Sequence, residues 1–194
     1  MREKTNQLRA WTWLCAVTAI IAVVAWVSIR LSMHGSSVEK YAIQWVTYVL
    51  LGLPFVWLMK KKLRFLYNAG NTQVTVGIGL VVAAGLYNLL THPSHERFVV
   101  SALIYLLVGF VEELIFRGYF FAVTENHSAS TAQTIVGTSV LFALWHVPSI
   151  WLVSHDWTMI VTTFAFGCLF GLIRHKSKNL LLVSLAHAAV DISS

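Results

Sequence analysis

Runs of about 20 apolar residues alternate with short polar breaks along this chain, the pattern of a polypeptide that crosses a bilayer repeatedly. The first run covers residues 11–33, "WTWLCAVTAIIAVVAWVSIRLSM". It is longer than a signal-peptide apolar core and lacks a small-residue cleavage site, so it is expected to be retained as a span. Arg30, near its end, can snorkel to the interface. After the break "HGSSVEK" a second span is expected over 41–59, with Pro54 tolerated as a local kink, followed by "KKKLRFLYNAGN" as the longest polar loop of the first half. A third span over 73–90 is closed by "THPSHER". The fourth covers 98–121 and "TENHSAS" forms the next turn. The fifth runs from Thr131 to at least His146, where Pro148 bends or ends it. The sixth covers 157–173 and leads into "RHKSK", and a last, short span covers 179–192. The pattern predicts an all-α protein, a polytopic transmembrane helical bundle of about seven spans, folded as one unit without repeats or a soluble domain.

Composition strengthens this reading. The 194 residues are 57% hydrophobic and 11% charged, against about 25% charged in soluble domains. The net charge of +6 resembles that of a nucleic-acid binder, but its placement argues otherwise. Arg2, Lys4 and Arg9 precede the first span; Lys60, Lys61, Lys62 and Arg64 lie between the second and third; Arg174, Lys176 and Lys178 lie between the last two. With a cytoplasmic N-terminus, alternation of the spans puts these ten of the fourteen Lys and Arg residues on the cytoplasmic side, as the positive-inside rule requires. The charge therefore reports topology and contact with anionic headgroups. The bilayer is the expected partner, and no nucleic acid is. Cys15 and Cys168 both lie in apolar stretches and suggest neither a disulfide framework nor a zinc–thiolate cluster.

Against this background the stretch "GFVEELIFRGYFF" stands out. The ionisable residues deep in spans are Glu112, Glu113, Arg117, His146, His187 and Asp191. A charge at the bilayer centre costs about 2.5–3.5 kcal/mol on insertion scales, so each needs a partner or a function. Glu113 and Arg117 are spaced i,i+4 and can pair on one face. Glu112 points about 100° away and is left seeking a partner. Phe142 and His146 share the i,i+4 spacing, as do His187 and Asp191. Asp191 can orient His187 through its second ring nitrogen, or both can approach one ion or one substrate oxygen. Taken singly, each membrane histidine is as readily a helix–helix hydrogen-bonding group. Counted from the ends expected in the cytoplasm, Glu112, His187 and His146 lie roughly 12–22 Å deep at about 1.5 Å per residue, within one hydrocarbon core. Three helices can thus bring a carboxylate and two imidazoles to one polar cavity, an inventory suited to hydrolysis. His34, His92, His95, His127, His155 and His175 fall in predicted loops and read as interfacial or solvated.

Glu-Glu-x-x-x-Arg at Glu112, Glu113 and Arg117, Phe-x-x-x-His at Phe142 and His146, and His-x-x-x-Asp at His187 and Asp191, in that order, resemble the motifs of the CAAX-protease and bacteriocin-processing family (the Abi branch) of intramembrane proteases. The matching region is 98–194; residues 1–97 are expected to supply transmembrane helices without a motif. The resemblance implies a membrane-embedded endopeptidase with a seven- or eight-helix fold and a cavity open to the cytoplasmic side. It implies that Glu112 activates water with help from His146, and that His187 with the residue four positions on binds metal or stabilises the oxyanion. Glu113 and Arg117 would be a supporting pair, with Phe142 packing against the site. The last motif commonly ends in Asn; Asp191 donates no hydrogen bond unless protonated, which leans its role toward orienting His187 or binding metal. The resemblance implies a metalloprotease whose glutamate-activated water is metal-assisted: a Zn2+ site would draw on His146 and His187, with Glu112 and Asp191 as further ligands, although a metal-free glutamate–histidine mechanism uses the same residues. No further helix is expected after Asp191.

The expected substrates are protein or peptide chains at the membrane, and the expected setting is a bacterial cell membrane. Two other readings use the same residues: a non-catalytic bacteriocin-immunity or scaffolding protein of the same fold, and a proton-coupled transporter relaying through Glu112 and His146, for which the paired repeats usual in transporters are missing.

Overall fold

In the absence of water, a spanning segment must satisfy its backbone internally, and the helix is the way one chain segment does so. The computed structural model describes residues 2–91, 98–127 and 129–193, and among them there is no strand. Seven helical rods follow one another: α1 (Arg2–Ser32), α2 (Ser37–Leu66), α3 (Asn71–Thr91), α4 (Phe98–Asn126), α5 (Thr131–Ser154), α6 (Thr158–Ser177) and α7 (Leu180–Ser193). The first six are long and apolar enough to cross a membrane, and α7 is a shorter apolar helix. The expected polytopic bundle is the observed one. Residues 92–97 of the expected "THPSHER" turn, with His92 and His95, lie outside the described residues.

Several rods are longer than the hydropathy pattern predicts. The expected loop at Lys60 is helical as far as Leu66, leaving only 67–70 as the turn. Likewise α1 begins at Arg2 and α6 runs on to Ser177. Lys, Arg, Leu and Gln are good helix formers, and extending an existing helix is far easier than starting one. Hydropathy marks where the bilayer ends, whereas the helix continues into the headgroups.

The turns are closed by local side-chain bonds. Ser36 and Glu39 bond reciprocally to each other's backbone N–H at the start of α2, and Ser130 and Gln133 do the same at the start of α5. Asp156 Oδ1 accepts from the N–H and the hydroxyl of Thr158, which hold its carboxyl below the usual range at the start of α6. Asn179 Oδ1 accepts from Leu182 N–H and caps α7.

Helix α7 packs chiefly on α3 and α4, and α5 chiefly on α6, while α1 lies against α2 and α5. The central cluster joins Leu14, Leu51, Phe55, Ile115, Phe116, Phe120, Phe142 and Leu180. The perimeter is apolar as well: Leu50, Leu53, Trp57, Leu90 and Val161 are all exposed, as suits a surface solvated by lipid chains. Helices α4 and α7 approach closely at Gly109, where a methyl group would stand 2.7 Å from the Ser184 carbonyl oxygen and 3.0 Å from the Ala188 nitrogen. Both neighbours are backbone, so neither can turn aside. Gly109→Ala is therefore expected to lower stability by about 1–3 kcal/mol, as overpacking does. It should also reduce activity, because Ala188 adjoins His187. Thermal unfolding in detergent checks the first effect and a cleavage assay the second.

Candidate active site

Helix α4 changes its winding at the residues of interest. After Glu113 the chain runs through a π-helical turn, Leu114–Phe120, before ordinary helix resumes at Phe121. Such wider turns inside α-helices concentrate at functional sites. The turn leaves Glu112, Glu113 and Arg117 all buried in the bundle.

The expected Glu113–Arg117 pair forms, with Arg117 Nη1 donating to Glu113 Oε1 at 3.1 Å. Nη2 donates to the Gly167 carbonyl of α6 at 2.9 Å, and the guanidinium lies over the Phe142 ring at 4.3 Å. The same Glu113 oxygen accepts from His187 Nδ1 at 2.8 Å. The carboxylate that meets His187 at Nδ1 is therefore Glu113, from another helix. Asp191 Oδ2 instead lies 3.6 Å from the other ring nitrogen, Nε2. The i,i+4 spacing places Asp191 beside the ring, but the direct bond is made across helices by Glu113. His187 is also stacked on Phe170 at 4.9 Å between ring centres, and Phe142 packs edge-on against both histidines.

Glu112 is not without partners. Its Oε1 accepts from the Tyr48 hydroxyl at 2.7 Å and from Trp145 Nε1 at 3.0 Å. Oε2 is buried with no protein hydrogen-bond partner. It stands 3.9 Å from His146 Nε2 and 3.8 Å from His187 Nε2, beyond direct hydrogen bonding but within reach of a bridging water. His146 ends the first part of α5, at a break before Val147–Ser149 that Pro148 occupies without losing a helix bond. Its Nδ1 pairs with the Phe142 carbonyl at 2.9 Å. A carbonyl only accepts, so Nδ1 carries the hydrogen and a neutral ring turns its Nε2 lone pair toward Glu112.

All the singled-out residues thus meet at one place, from α4, α5 and α7. Sequence reasoning missed Tyr48 and Trp145. The available signal was Trp145, beside His146: an indole N–H buried in apolar company usually finds an acceptor. His34 and His155 are exposed, and His127 and His175 are half-buried.

A cavity of about 580 Å³ leads to Glu112, Trp145 and His146 between α1, α2, α4 and α5. Its lining comes from residues 25–32, 37–48, 105–112 and 145–153, so it extends toward the end of the bundle carrying the α1–α2 turn. Imidazole and carboxylate are donors that suit zinc. Among the described residues, however, no group of three or more His, Cys, Asp and Glu is placed to hold a metal ion. Glu112 Oε2 nonetheless stands 3.9 and 3.8 Å from the two imidazole nitrogens; the mechanism below takes no step through a metal.

Because a hydrogen bond to a carboxylate is worth about 1.5–3 kcal/mol, Tyr48→Phe is expected to reduce kcat about tenfold. KM and melting temperature should stay near the wild-type values, a split that separates positioning of Glu112 from a general loss of structure. A matching fall in melting temperature would assign Tyr48 to the fold alone.

A family model described as type II CAAX prenyl endopeptidase Rce1-like matches residues 94–193, just over half of the chain. No curated protein and no solved structure matches it.

Proposed function

The chain belongs to the Rce1-like family of type II CAAX prenyl endopeptidases, and from that premise we propose that it is an intramembrane endopeptidase in which Glu112 activates water against a peptide carbonyl. The observation that carries this reading is the asymmetry of Glu112. One oxygen is tied to Tyr48 and Trp145, while the other is unbonded and faces two imidazole nitrogens.

A water lodged between Glu112 Oε2 and His146 Nε2 gives one hydrogen bond to each. As its oxygen attacks the carbonyl carbon, Glu112 Oε2 takes the proton and the carbonyl oxygen becomes an oxyanion. His187 Nε2, carrying a hydrogen, donates to that oxyanion. The proton held on Glu112 then passes to the departing amine nitrogen, the C–N bond breaks, and the carboxylate is restored for the next turnover. Glu113 holds His187 through Nδ1, and Arg117 balances the charge of Glu113. Asp191 faces His187 Nε2 at 3.6 Å.

The substrates are protein or peptide chains at the membrane, and the enzyme is a multi-pass protein of a bacterial cell membrane with a cytoplasmic N-terminus. To test the reading, purified protein in liposomes is given a set of peptides and their cleavage followed. Wild type is expected to cut, and His146→Ala to lose about tenfold in kcat, the worth of one lost hydrogen bond to the attacking water. Cleavage by His146→Ala at the wild-type rate would remove the mechanism, and no cleavage by wild type would favour a non-catalytic role. The same preparation decides the metal question. Activity is expected to survive a strong chelator, with far less than one zinc per chain; stoichiometric zinc lost in His187→Ala would make the two histidines ligands instead.

A further inference from the structure

We propose that the cavity above Glu112 is entered from the extracytoplasmic face, so that its substrates are polypeptide segments presented at the outer surface of the membrane and not the termini of cytoplasmic proteins. What happens at Glu112 rests on the endopeptidase reading; the route to it does not.

The two ends of the bundle are distinguishable. Gln7 bonds Gln133, and Gln73 bonds the Ser177 carbonyl, so the start of α1, the start of α5, the start of α3 and the end of α6 share one end. Lys61, Lys62 and Arg174 gather there with Glu125 around one depression. Ten of the fourteen Lys and Arg residues belong to this end by sequence position, while Arg30, Lys40 and Arg97 belong to the other. A bias of this size in short loops places the basic end in the cytoplasm.

The cavity runs the other way. Its lining includes Ser28 and Ser32 late in α1, Ser37, Lys40 and Gln44 early in α2, and Ser149 late in α5. No residue of the basic end lines it. On the basic side of Glu112 stand Arg117, Phe116, Phe120 and Phe142, all buried, with the Phe116 ring packed edge to face against the other two. The hydroxyls and the carboxamide along the cavity offer partners to the N–H and C=O groups of an extended peptide. Its volume lies in the range of about 300–1,000 Å³ usual for ligand sites. The family resemblance implies a cytoplasmic mouth. Here a cytoplasmic mouth would require the basic end to face outward, against the charge rule.

The test labels single cysteines with a membrane-impermeant maleimide in intact cells, in a background carrying Cys15→Ser and Cys168→Ser. Ser37→Cys and Ser149→Cys, on two different helices, report the cavity, and Asn126→Cys reports the basic end. The cavity cysteines are expected to label in intact cells, and Asn126→Cys only after permeabilisation. The reverse pattern, or equal labelling at all three positions, would overturn the proposal. Two cavity positions keep the test decisive if one variant misfolds. Labelling needs no catalysis, so an inactive protein would count against the endopeptidase reading and leave the route to be decided by the labels.

Discussion

Glu112→Gln is expected to lower kcat for peptide cleavage by about 10²–10⁴-fold while the protein stays folded. Glutamine is nearly isosteric with glutamate, and its carbonyl oxygen can still accept from the Tyr48 hydroxyl and Trp145 Nε1, which now hold Glu112 Oε1 at 2.7 and 3.0 Å. Its amide nitrogen replaces the oxygen that faces the two histidines. An amide nitrogen has no lone pair available for a proton from water, so the base is lost and the shape is kept. Since Glu112 addresses the water and not the substrate, KM should change little, and the defect should sit in kcat. Single-turnover cleavage with excess enzyme checks this directly. A Glu112→Gln enzyme within tenfold of wild type would sink the role given to this residue.

The largest effect on stability is expected from Arg117→Ala, a loss of about 3–5 kcal/mol. Arg117 is fully buried, and it meets Glu113, the Gly167 carbonyl and the Phe142 ring at once. Removing it strands the Glu113 carboxylate in a dry interior with His187 as its remaining bonded partner. Arg117→Lys should recover only part of the loss, because an ammonium cannot reproduce the planar fork that reaches a carboxylate and a carbonyl together. The paired change Glu113→Gln with Arg117→Met removes both charges. It should be less destabilised than Arg117→Met alone, since no uncompensated charge then remains. Thermal unfolding in one detergent across the four variants measures this. Equal melting temperatures for the single and paired changes would show that Arg117 acts through its packing and not its charge.

The sequence made the spans readable because a membrane segment needs a continuous apolar run, and such runs survive without any tertiary contact. Charges within them were equally readable, since each breaks an otherwise uniform pattern. The Glu113–Arg117 pair lies within one helix and follows from spacing alone. The partners of Glu112 do not. Tyr48 is 64 positions away on α2, and a tyrosine in a span has no pattern that says which carboxylate it will meet. The same limit applies to His187: Asp191, one turn along, was visible from spacing and lies beside Nε2, whereas Glu113 bonds Nδ1 only because α4 and α7 touch at Gly109. The helix extensions beyond the bilayer were unreadable for a different reason, since hydropathy reports the solvent and not the backbone.

The π turn at Leu114–Phe120 also gives α4 two phases. A helical wheel drawn from Phe98 through Asn126 at one constant angle per residue would describe its first half and misplace its second. Before the turn, the wheel's inward spoke carries Glu112. Beyond it, the spoke that faces α1 and α2 carries Tyr119, which accepts from Trp13 Nε1 and meets the Phe55 ring edge-on. Deleting one residue within 114–120 would let the segment relax to the ordinary pitch with little net rotation, because six residues of α-helix turn through nearly the same angle as seven in the wider turn. The active-site half and the anchoring half could then both keep their neighbours. A deletion within 99–111 has no such slack and would turn Glu112 by about 100° against the start of the helix, so in this helix the cost of a lost residue depends on which side of Glu112 it falls.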